Sequence, residues 1–467
     1  MTTLGQKAGV PSARLPRLVA KELADNALDA SGSCRVGLLD GNGFWVEDDG
    51  DGIPGEDRAV ASLFSINRPL ASSKILRRPS RGALGNGLRV VTGAILASAG
   101  TLHVSTRGRT LELRPQVETG ETLALTAGDY PARGTRVEVR FGPPLRVDRD
   151  TLAWARHALL LARGGPRYAG KTSPHWYDGD AFYELLQASG RRTVRELIAE
   201  FDGCAEPKAG KIAGPFKKRL ARNLHRVEAD RLLKEAQGHA RVVKPNRLGC
   251  VGPIAGLPSG YAKSEGELLV HTNRDGSKTV VPILLEAWAE VRDKAQVLVL
   301  VNRTPVAAEI DAYHEKDTLI LSGCGLKHGF KVGRKSPLLV LNVETPYMPI
   351  TSDGKAPDLR PILGDIATLT RKILRRVKPG TGPIGRGPSQ KEIILAHLTE
   401  SVAKAGGDGA YRFSLRQLFY AVRPHVLGVL GKEPDYDYFA QVVTEHEARH
   451  DEIPGMYRDP RGTLYHP

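Results

Sequence analysis

Apolar and polar residues recur along the chain with two spacings, one helical and one typical of strands. A helix around residues 21–30 precedes an apolar strand near 46–48, a helix over 88–96 and an alternating strand at 134–139. Apolar periodicity predicts further helices at 151–165, 181–186, 194–198 and 217–226. Residues 246–378 are predicted to alternate strands with helices, ending in a helix from Ile362 to Val377. This mixture predicts an α+β protein of several domains.

Glycine and proline clusters predict the domain boundaries. Gly164-Gly165-Pro166 ends one apolar helix, and the Pro/Gly-rich segment 379–388 has no apolar periodicity. The predicted domains are 1–165, 166–245, 246–378 and 391–467, with 379–390 as a linker. A chain of 467 residues is long enough for each domain to bury its own core.

One polar row stands out on the first predicted helix. Glu22, Asn26 and Asp29 are spaced i, i+4 and i+7, so they share one helical face. Two acids and a carboxamide placed in this way could hold a hydrated Mg²⁺ ion and polarise a water molecule. The same row is also typical of the solvated side of an amphipathic helix.

Two glycine-rich turns follow this helix. The first, Asp48 to Gly52, places a carboxylate beside glycines Gly50 and Gly52, where it could accept a hydrogen bond from an amine such as that of adenine. The second, Gly82-Ala83-Leu84-Gly85-Asn86-Gly87, opens a helix whose free amides could bind phosphate. A plain acidic hairpin and a plain tight turn are the alternatives.

These elements, followed in order by Gly134-Thr135 and a strand, resemble the GHKL ATPase family of gyrase, MutL, histidine kinases and heat-shock chaperones. The resemblance implies a Bergerat α/β sandwich that binds ATP and Mg²⁺. It implies Glu22 as general base, Asn26 as magnesium ligand and Asp48 as the residue that reads adenine. The implied nucleotide contacts also include Asp29, Gly50, Gly52, Gly82, Gly85, Asn86, Gly87, Leu88, Gly134 and Thr135. Asn86 departs from the family, which usually carries an apolar residue there. The chain has no GxxxxGK[ST] sequence, so no P-loop is indicated.

Charge predicts an anionic partner. The chain has a net charge of +15, which favours nucleic acid or another anionic surface. Lys218, Arg222 and Arg226 are spaced i, i+4 and i+8 on the predicted basic helix, where they could follow phosphates or form only a solvated face.

The chain has no long apolar run, no N-terminal apolar segment and only four scattered cysteines, so we expect a cytoplasmic protein without a membrane span or cysteine metal site.

The order of domains resembles the B subunit of topoisomerase VI, in which a GHKL domain is followed by a helix-two-turn-helix domain and a transducer of ribosomal-protein-like α/β fold. That resemblance implies that Lys355, on the loop after Met348-Pro349-Ile350, enters the ATP site and contacts the terminal phosphate. A surface lysine after a Ser-Asp-Gly turn is the alternative.

The last domain carries a different signal. Ser414 could cap a helix with Leu415, Leu418, Phe419 and Val422 on one stripe, leaving Arg416 and Tyr420 on its flank as i, i+4 partners. A phenol near a guanidinium can act as a nucleophile toward phosphorus. Arg416-Gln417-Leu418-Phe419-Tyr420 resembles the catalytic-tyrosine motif in the winged helix of topoisomerase VI A subunits, and the segment around Arg458 and Arg461 resembles its DNA-contacting wing. Tyr420 could instead pack or contact phosphate, as could the other tyrosines of this domain.

These resemblances imply the ATPase part of a type IIB topoisomerase-like machine, which closes as an ATP-dependent homodimer around duplex DNA. The A subunit also needs a Toprim domain that binds magnesium, and none follows the winged helix in this sequence. Cleavage by Tyr420 would then need a separate Toprim-bearing chain, unless this sequence is part of a longer fusion. The alternative function is a DNA-binding ATPase clamp that never cuts. A chaperone or kinase of the GHKL type is disfavoured by the basic charge and the terminal winged helix.

Overall fold

In a computed structural model the chain is a mixed α+β protein with several sheets, divided into two compact units, residues 1–379 and 380–467. The structure describes residues 9–68, 75–81, 87–272, 276–308, 310–332, 336–351, 356–377, 390–430, 433–448, 450 and 452–457. Gly82, Gly85, Asn86, Lys355, Arg458 and Arg461 lie outside these residues. No helix among the described residues is both long and apolar enough to cross a bilayer.

The first part of the larger unit is a four-stranded antiparallel sheet packed against helices. Its helices are α1 (Leu15–Ser31), α2 (Asp57–Leu63), α3 (Gly87–Ser98) and α4 (Ala153–Ala162), and its strands are β1 (Arg35–Leu39), β2 (Gly43–Asp48), β3 (Thr101–Pro115) and β4 (Thr122–Arg140). The strands lie in the order β1-β2-β4-β3. Helix α1 begins with Pro16 in its first turn and ends at Gly32 in a left-handed conformation, as helix start and stop signals require. Its apolar stripe, including Leu15, Val19 and Leu23, is buried against the sheet.

A helical region follows, with α5 (Gly179–Ala188), α6 (Val194–Ala199), α7 (Lys208–Ala213) and α8 (Arg226–His239). The predicted helix over residues 217–226 is wrong. This segment forms short turns, because the backbone of residues 219–221 pairs with residues 192–194 and Pro215 interrupts the helical hydrogen bonds. Helix α8 begins only at Arg226, after a capping box formed by His225 and Glu228.

The next part is built mainly of strands. They are β5 (Gly260–Thr272), β6 (Lys278–Arg292), β7 (Gln296–Val301), β8 (Thr304–Pro305), β9 (Asp311–Glu315), β10 (Thr318–Gly323), β11 (Leu326–Lys331) and β12 (Ser336–Glu344). One sheet has the order β5-β6-β12-β7-β8 and the other β11-β10-β9. The predicted alternation of strands with helices is therefore wrong, because apolar runs such as Val280–Trp288 are buried strands rather than helices. Helix α9 (Leu363–Arg376) comes only after the last strand and packs on β5 and β6.

The smaller unit has its own apolar core. Its helices are α10 (Gln390–Ala396), α11 (Leu398–Gly406), α12 (Leu415–Leu430) and α13 (Tyr436–Glu447), and strands β13 (Phe413–Ser414) and β14 (Met456–Tyr457) pair in parallel. Ser414 caps α12 as predicted: the Ser414 amide donates to Gln417 Oε1 at 2.7 Å, and the Gln417 amide donates to Ser414 Oγ at 3.3 Å. The predicted stripe faces inward, with Leu418 and Val422 buried against Phe439.

Candidate functional site

Helix α1 brings Glu22 to the beginning of helix α3. Glu22 is half-buried, and a Cβ added to Gly87 would collide with its carboxylate. Gly87 is the first residue of α3, so the acid lies beside the end of a helix where the dipole is positive. Asn26 and Asp29 lie on the same face of α1 and are exposed. The predicted row of three polar residues therefore lies on one face of α1, with Glu22 next to the start of α3.

A buried lysine fixes the position of Glu22. Lys21 Nζ lies 2.7 Å from Glu22 Oε1 and 3.1 Å from Asp25 Oδ2. Burial opposes the charge on Lys21, but the two carboxylates outweigh it and raise the pKa of the ammonium. Lys21 therefore stays charged and orients the Glu22 side chain.

Asp25 connects this helix to the second sheet. Thr304 Oγ1 donates a hydrogen bond to Asp25 Oδ1 at 3.0 Å, and both residues are buried. Next to it, Arg303 donates to Glu344 Oε1 at 2.8 Å and to the carbonyl oxygens of Gly165 and Pro166. Polar groups buried at this depth are costly to leave unpaired, so the network fixes how α1 meets the turn after β7.

Asp48 lies at the end of strand β2 with one oxygen held by the backbone. Asp48 Oδ1 accepts hydrogen bonds from the amides of Gly50 at 2.9 Å and Thr135 at 3.3 Å. Both hydrogen bonds end on Oδ1, so Oδ2 can accept a hydrogen bond from a ligand. Burial raises the pKa of the Asp48 carboxyl, and the two amide donors partly offset that rise. Asp48 thus offers a buried hydrogen-bond acceptor whose orientation is fixed by the two amides.

Glycines allow the backbone to pack closely around Asp48. Gly134 has a φ of +92°, and a Cβ there would collide with the Asp48 backbone carbonyl. Gly52 has a φ of +75°, and a Cβ there would lie 2.7 Å from Thr106 Oγ1. Thr106 Oγ1 also accepts a hydrogen bond from the Ile53 amide at 2.8 Å. The structure therefore brings Asp48, Gly50, Gly52, Gly134 and Thr135 together, the residues that the GHKL resemblance implies as adenine and nucleotide contacts.

The two halves of the site lie along one helix. A Cβ on Gly50 would be 3.4 Å from Ser31 Cβ, which places the Asp48 turn beside the C-terminal end of α1. Glu22, which lies against Gly87, is nine residues before Ser31, about 13 Å away at the rise of an α-helix. An acceptor for an amine lies beside the C-terminal end of α1, and a helix start that favours anions lies beside its middle.

Three residues of this site were not singled out from the sequence. Lys21 and Asp25 are spaced i, i+4 with opposite charges, and that spacing is a signal that could have identified the pair. Thr106 lies in the middle of strand β3, and only the folded sheet brings it to Gly52. Leu88, by contrast, was predicted as a nucleotide contact and is packed, half-buried, against the apolar core of this part.

The three described residues that were predicted to bind DNA differ in whether a carboxylate pairs with their charge. Lys218 and Arg222 are exposed on the turns before α8. The Arg226 guanidinium forms ion pairs with Asp180, at 2.5 Å, and with Asp230, at 3.3 Å. Arg226 is therefore neutralised locally, whereas the other two cations point to solvent.

Tyr420 lies on the exposed side of α12, as the predicted stripe requires. It is 57% exposed, and its ring packs edge-on against Phe419 with centroids 5.6 Å apart. The Arg416 guanidinium lies over the ring of Tyr436, 5.7 Å from its centroid. Phe419 also contacts Tyr436, so these four side chains form one surface cluster.

No protein-family model matches this sequence, and no characterised protein matches it at a significant level. Among solved structures, the chain is similar to the 43K ATPase domain of Thermus thermophilus gyrase B in complex with an aminocoumarin, at 15% identity and a TM-score of 0.27, covering 77% of this chain and 86% of that one. It is also similar to the N-terminal domain of a DNA repair protein, at 15% identity and a TM-score of 0.32, covering 77% and 93% of the two chains. Similarity at this level assigns no function.

Proposed function

We propose that this chain binds and hydrolyses ATP in the manner of a GHKL ATPase. The observation that carries the proposal is the position of the Glu22 carboxylate, which lies against the start of helix α3 and is held there by Lys21. Phosphates attracted to that helix start would lie directly beside a fixed general base.

Asp48 and two residues of α1 would bind the adenine and the magnesium ion. Asp48 Oδ2 would accept the exocyclic amine of adenine, while the close packing around Gly50 and Gly134 would admit the flat base. Asn26, exposed one turn after Glu22, would ligate Mg²⁺ together with the phosphates, and Asp29 would bind its water shell. These oxygen donors fit a hard cation. Bound magnesium would neutralise charge that develops on the phosphates during hydrolysis.

We further propose that duplex DNA is the partner and that the machine resembles a type IIB topoisomerase. The net charge of +15 supports a polyanionic partner. In this proposal ATP closes a homodimer on the duplex, and Lys355 contacts the terminal phosphate. The Tyr420 oxygen would attack a backbone phosphorus, forming a phosphotyrosyl bond as the bond to one sugar oxygen breaks and that oxygen leaves as a hydroxyl, only when a separate Toprim-bearing chain supplies magnesium.

A clamp that binds DNA without cutting it is the second candidate, and one observation favours it. The Arg416 guanidinium lies over Tyr436, and Arg423, which interacts electrostatically with Tyr420, is itself bound by Glu433, although a cation without a carboxylate partner at the phenol is what would favour the phenolate. Aromatic rings and arginines on one exposed surface can also stack on and track nucleic acid without any chemistry. The two candidates differ in whether Tyr420 becomes covalently joined to DNA.

ATP hydrolysis with and without duplex DNA tests the proposal. We expect DNA-stimulated turnover in the native chain. Glu22→Ala should abolish it, and Glu22→Gln should lower kcat about 10²- to 10⁴-fold while ATP binding persists, because Gln keeps the shape but cannot take a proton. Glu118→Gln is the matched control, since Glu118 is exposed in the turn between β3 and β4.

The outcomes separate the candidates. Equal ATP hydrolysis in Glu22→Gln and the native chain would rule out Glu22 as the general base, and a native chain that hydrolyses no ATP would remove the ATPase proposal. ATP hydrolysis that requires Glu22 but is not stimulated by DNA would contradict only the proposal that DNA is the partner. A Tyr420→Phe variant that behaves like the native chain in every DNA assay, including one with a Toprim-bearing chain added, would select the clamp.

A further inference from the structure

The smaller unit contains a cluster of two histidines and one glutamate. His397 and Glu400 lie at the start of α11, and His425 lies on α12. His397 Nδ1 is 3.3 Å from Glu400 Oε2, and the imidazoles of His397 and His425 stack with centroids 4.1 Å apart. One nitrogen or oxygen ligand atom from each of the three residues lies within 4.8 Å of the other two. Three potential metal ligands from two helices therefore converge on one point.

Buried neighbours fix the backbone at each of these positions. Leu398, which follows His397, is only 5% exposed, and Val426, which follows His425, is fully buried. Both belong to the apolar core of the smaller unit. The His397 amide donates to the Ile393 carbonyl at 3.1 Å, and its carbonyl accepts from the Ser401 amide at 3.0 Å. The core thus holds the two helices in place while the imidazoles and the carboxylate reach the surface.

We propose that His397, Glu400 and His425 form a binding site for a divalent transition metal of the zinc class. Two imidazole nitrogens and one carboxylate oxygen are a donor set that zinc accepts, with water completing the coordination. Zinc bonds to nitrogen and oxygen are about 2.0–2.2 Å long, so ligand atoms around a tetrahedral ion lie about 3.4 Å apart. The atoms found within 4.8 Å need only small side-chain rotations to reach that spacing.

A metal ion held by both imidazoles would also stabilise the fold of the smaller unit. The ion would join the start of α11 to the middle of α12, two helices separated in sequence by the β13 strand. Such a cross-link stabilises the folded unit because the unfolded chain offers no assembled site. This role does not depend on ATP or DNA.

Zinc titration of the full chain with a competing chromophoric chelator tests the site, with zinc alone as the probe. We expect His425→Ala to lose one zinc ion per chain and Glu400→Gln to weaken binding at least roughly tenfold. The matched control is His446→Ala. It removes one imidazole of another surface pair, His446 and His450, whose ring centroids are 4.6 Å apart. This pair lies outside the proposed site.

Thermal unfolding of the same proteins supplies a second readout, and circular dichroism checks that each variant is folded. Zinc should raise the unfolding midpoint of the native chain and of His446→Ala, but not that of His425→Ala. Co²⁺ in place of zinc should give the visible absorption of a four-coordinate ion only when His425 is present. The proposal is overturned if the native chain binds no zinc against the chelator, or if folded His425→Ala binds it with unchanged stoichiometry and affinity.

Discussion

At the scale of single residues, Asp48 is expected to lower the free energy of unfolding while it favours the binding of ATP. Burial destabilises its negative charge, and only two backbone amides compensate. Because its folded pKa is raised above the unfolded value, the native state holds the proton more tightly than the unfolded chain does. The resulting loss of stability develops as the pH rises from the ordinary aspartate range through the raised pKa, and it persists at neutral pH.

Asp48→Asn should therefore separate stability from binding. Asn keeps an oxygen for the Gly50 and Thr135 amides but would present its amide donor to the adenine amine. We expect ATP affinity to fall by about 1.5–3 kcal/mol, roughly 10- to 150-fold, as measured by calorimetry. The free energy of unfolding of the nucleotide-free variant should equal or exceed that of the native chain at pH 7, and this advantage should disappear at acid pH.

Asp51→Asn is the control for that experiment. Asp51 is exposed and pairs at the surface with Arg133, so neither ATP affinity nor stability should change measurably. Unchanged ATP affinity in Asp48→Asn would show that Asp48 does not read the base, even if hydrolysis still requires Glu22.

Sequence reasoning reached the residues of the site that lie in short local motifs. Glu22 and Asn26 were found from helical spacing, and the Asp48 turn from its glycines, because each pattern is contained within a few consecutive residues. Thr106 could not be found in this way, since its contact with Gly52 depends on strand register within the sheet. Which oxygen of Asp48 is occupied likewise depends on Thr135, far along the chain.

At the scale of elements, the contact between α1 and α3 controls the position of the carboxylate that we propose as the general base. A Cβ on Gly87 would collide with the Glu22 carboxylate, which lies at the end of a flexible side chain. In Gly87→Ala the chain should therefore stay folded while Glu22 rotates away. We expect kcat for ATP hydrolysis to fall by at least about tenfold with little change in KM, because the base is displaced rather than the binding surface.

Gly364→Ala provides the comparison, since a Cβ at this helical glycine of α9 meets nothing within 4 Å. It should leave hydrolysis unchanged and raise stability by up to about 1 kcal/mol. Normal kcat in Gly87→Ala would mean that Glu22 is not confined by α3, and the geometry proposed for the general base would be wrong.

The two regions that sequence reasoning got wrong differ from their predictions for different physical reasons. Residues 217–226 carry a helical charge pattern, but tertiary pairing with residues 192–194 decides their conformation. The strands between Gly260 and Glu344 include runs that are buried on both faces, and such runs lack the alternation that distinguishes a strand from a helix. Helix α1 and helix α9 were predictable because one apolar face alternates with one polar face.

At the scale of the whole molecule, the excess of 67 lysines and arginines over 52 acids creates a positive field, but only unpaired exposed cations can exchange counterions with DNA. Lys218 and Arg222 are exposed, whereas Arg226 is engaged by Asp180 and Asp230. DNA affinity should therefore fall steeply with salt. Each phosphate contact contributes about 0.9 to the slope of log affinity against log salt.

Replacing both Lys218 and Arg222 with alanine should therefore reduce that slope by about 2, uniformly across DNA sequences, when affinity is measured by fluorescence anisotropy at several salt concentrations. Arg226→Ala should leave the slope nearly unchanged, because its charge is already balanced by two carboxylates. A double variant with the native slope would show that DNA binds elsewhere on the chain. A slope reduced by Arg226→Ala alone would show that DNA displaces both carboxylates, which would make those ion pairs part of the binding surface.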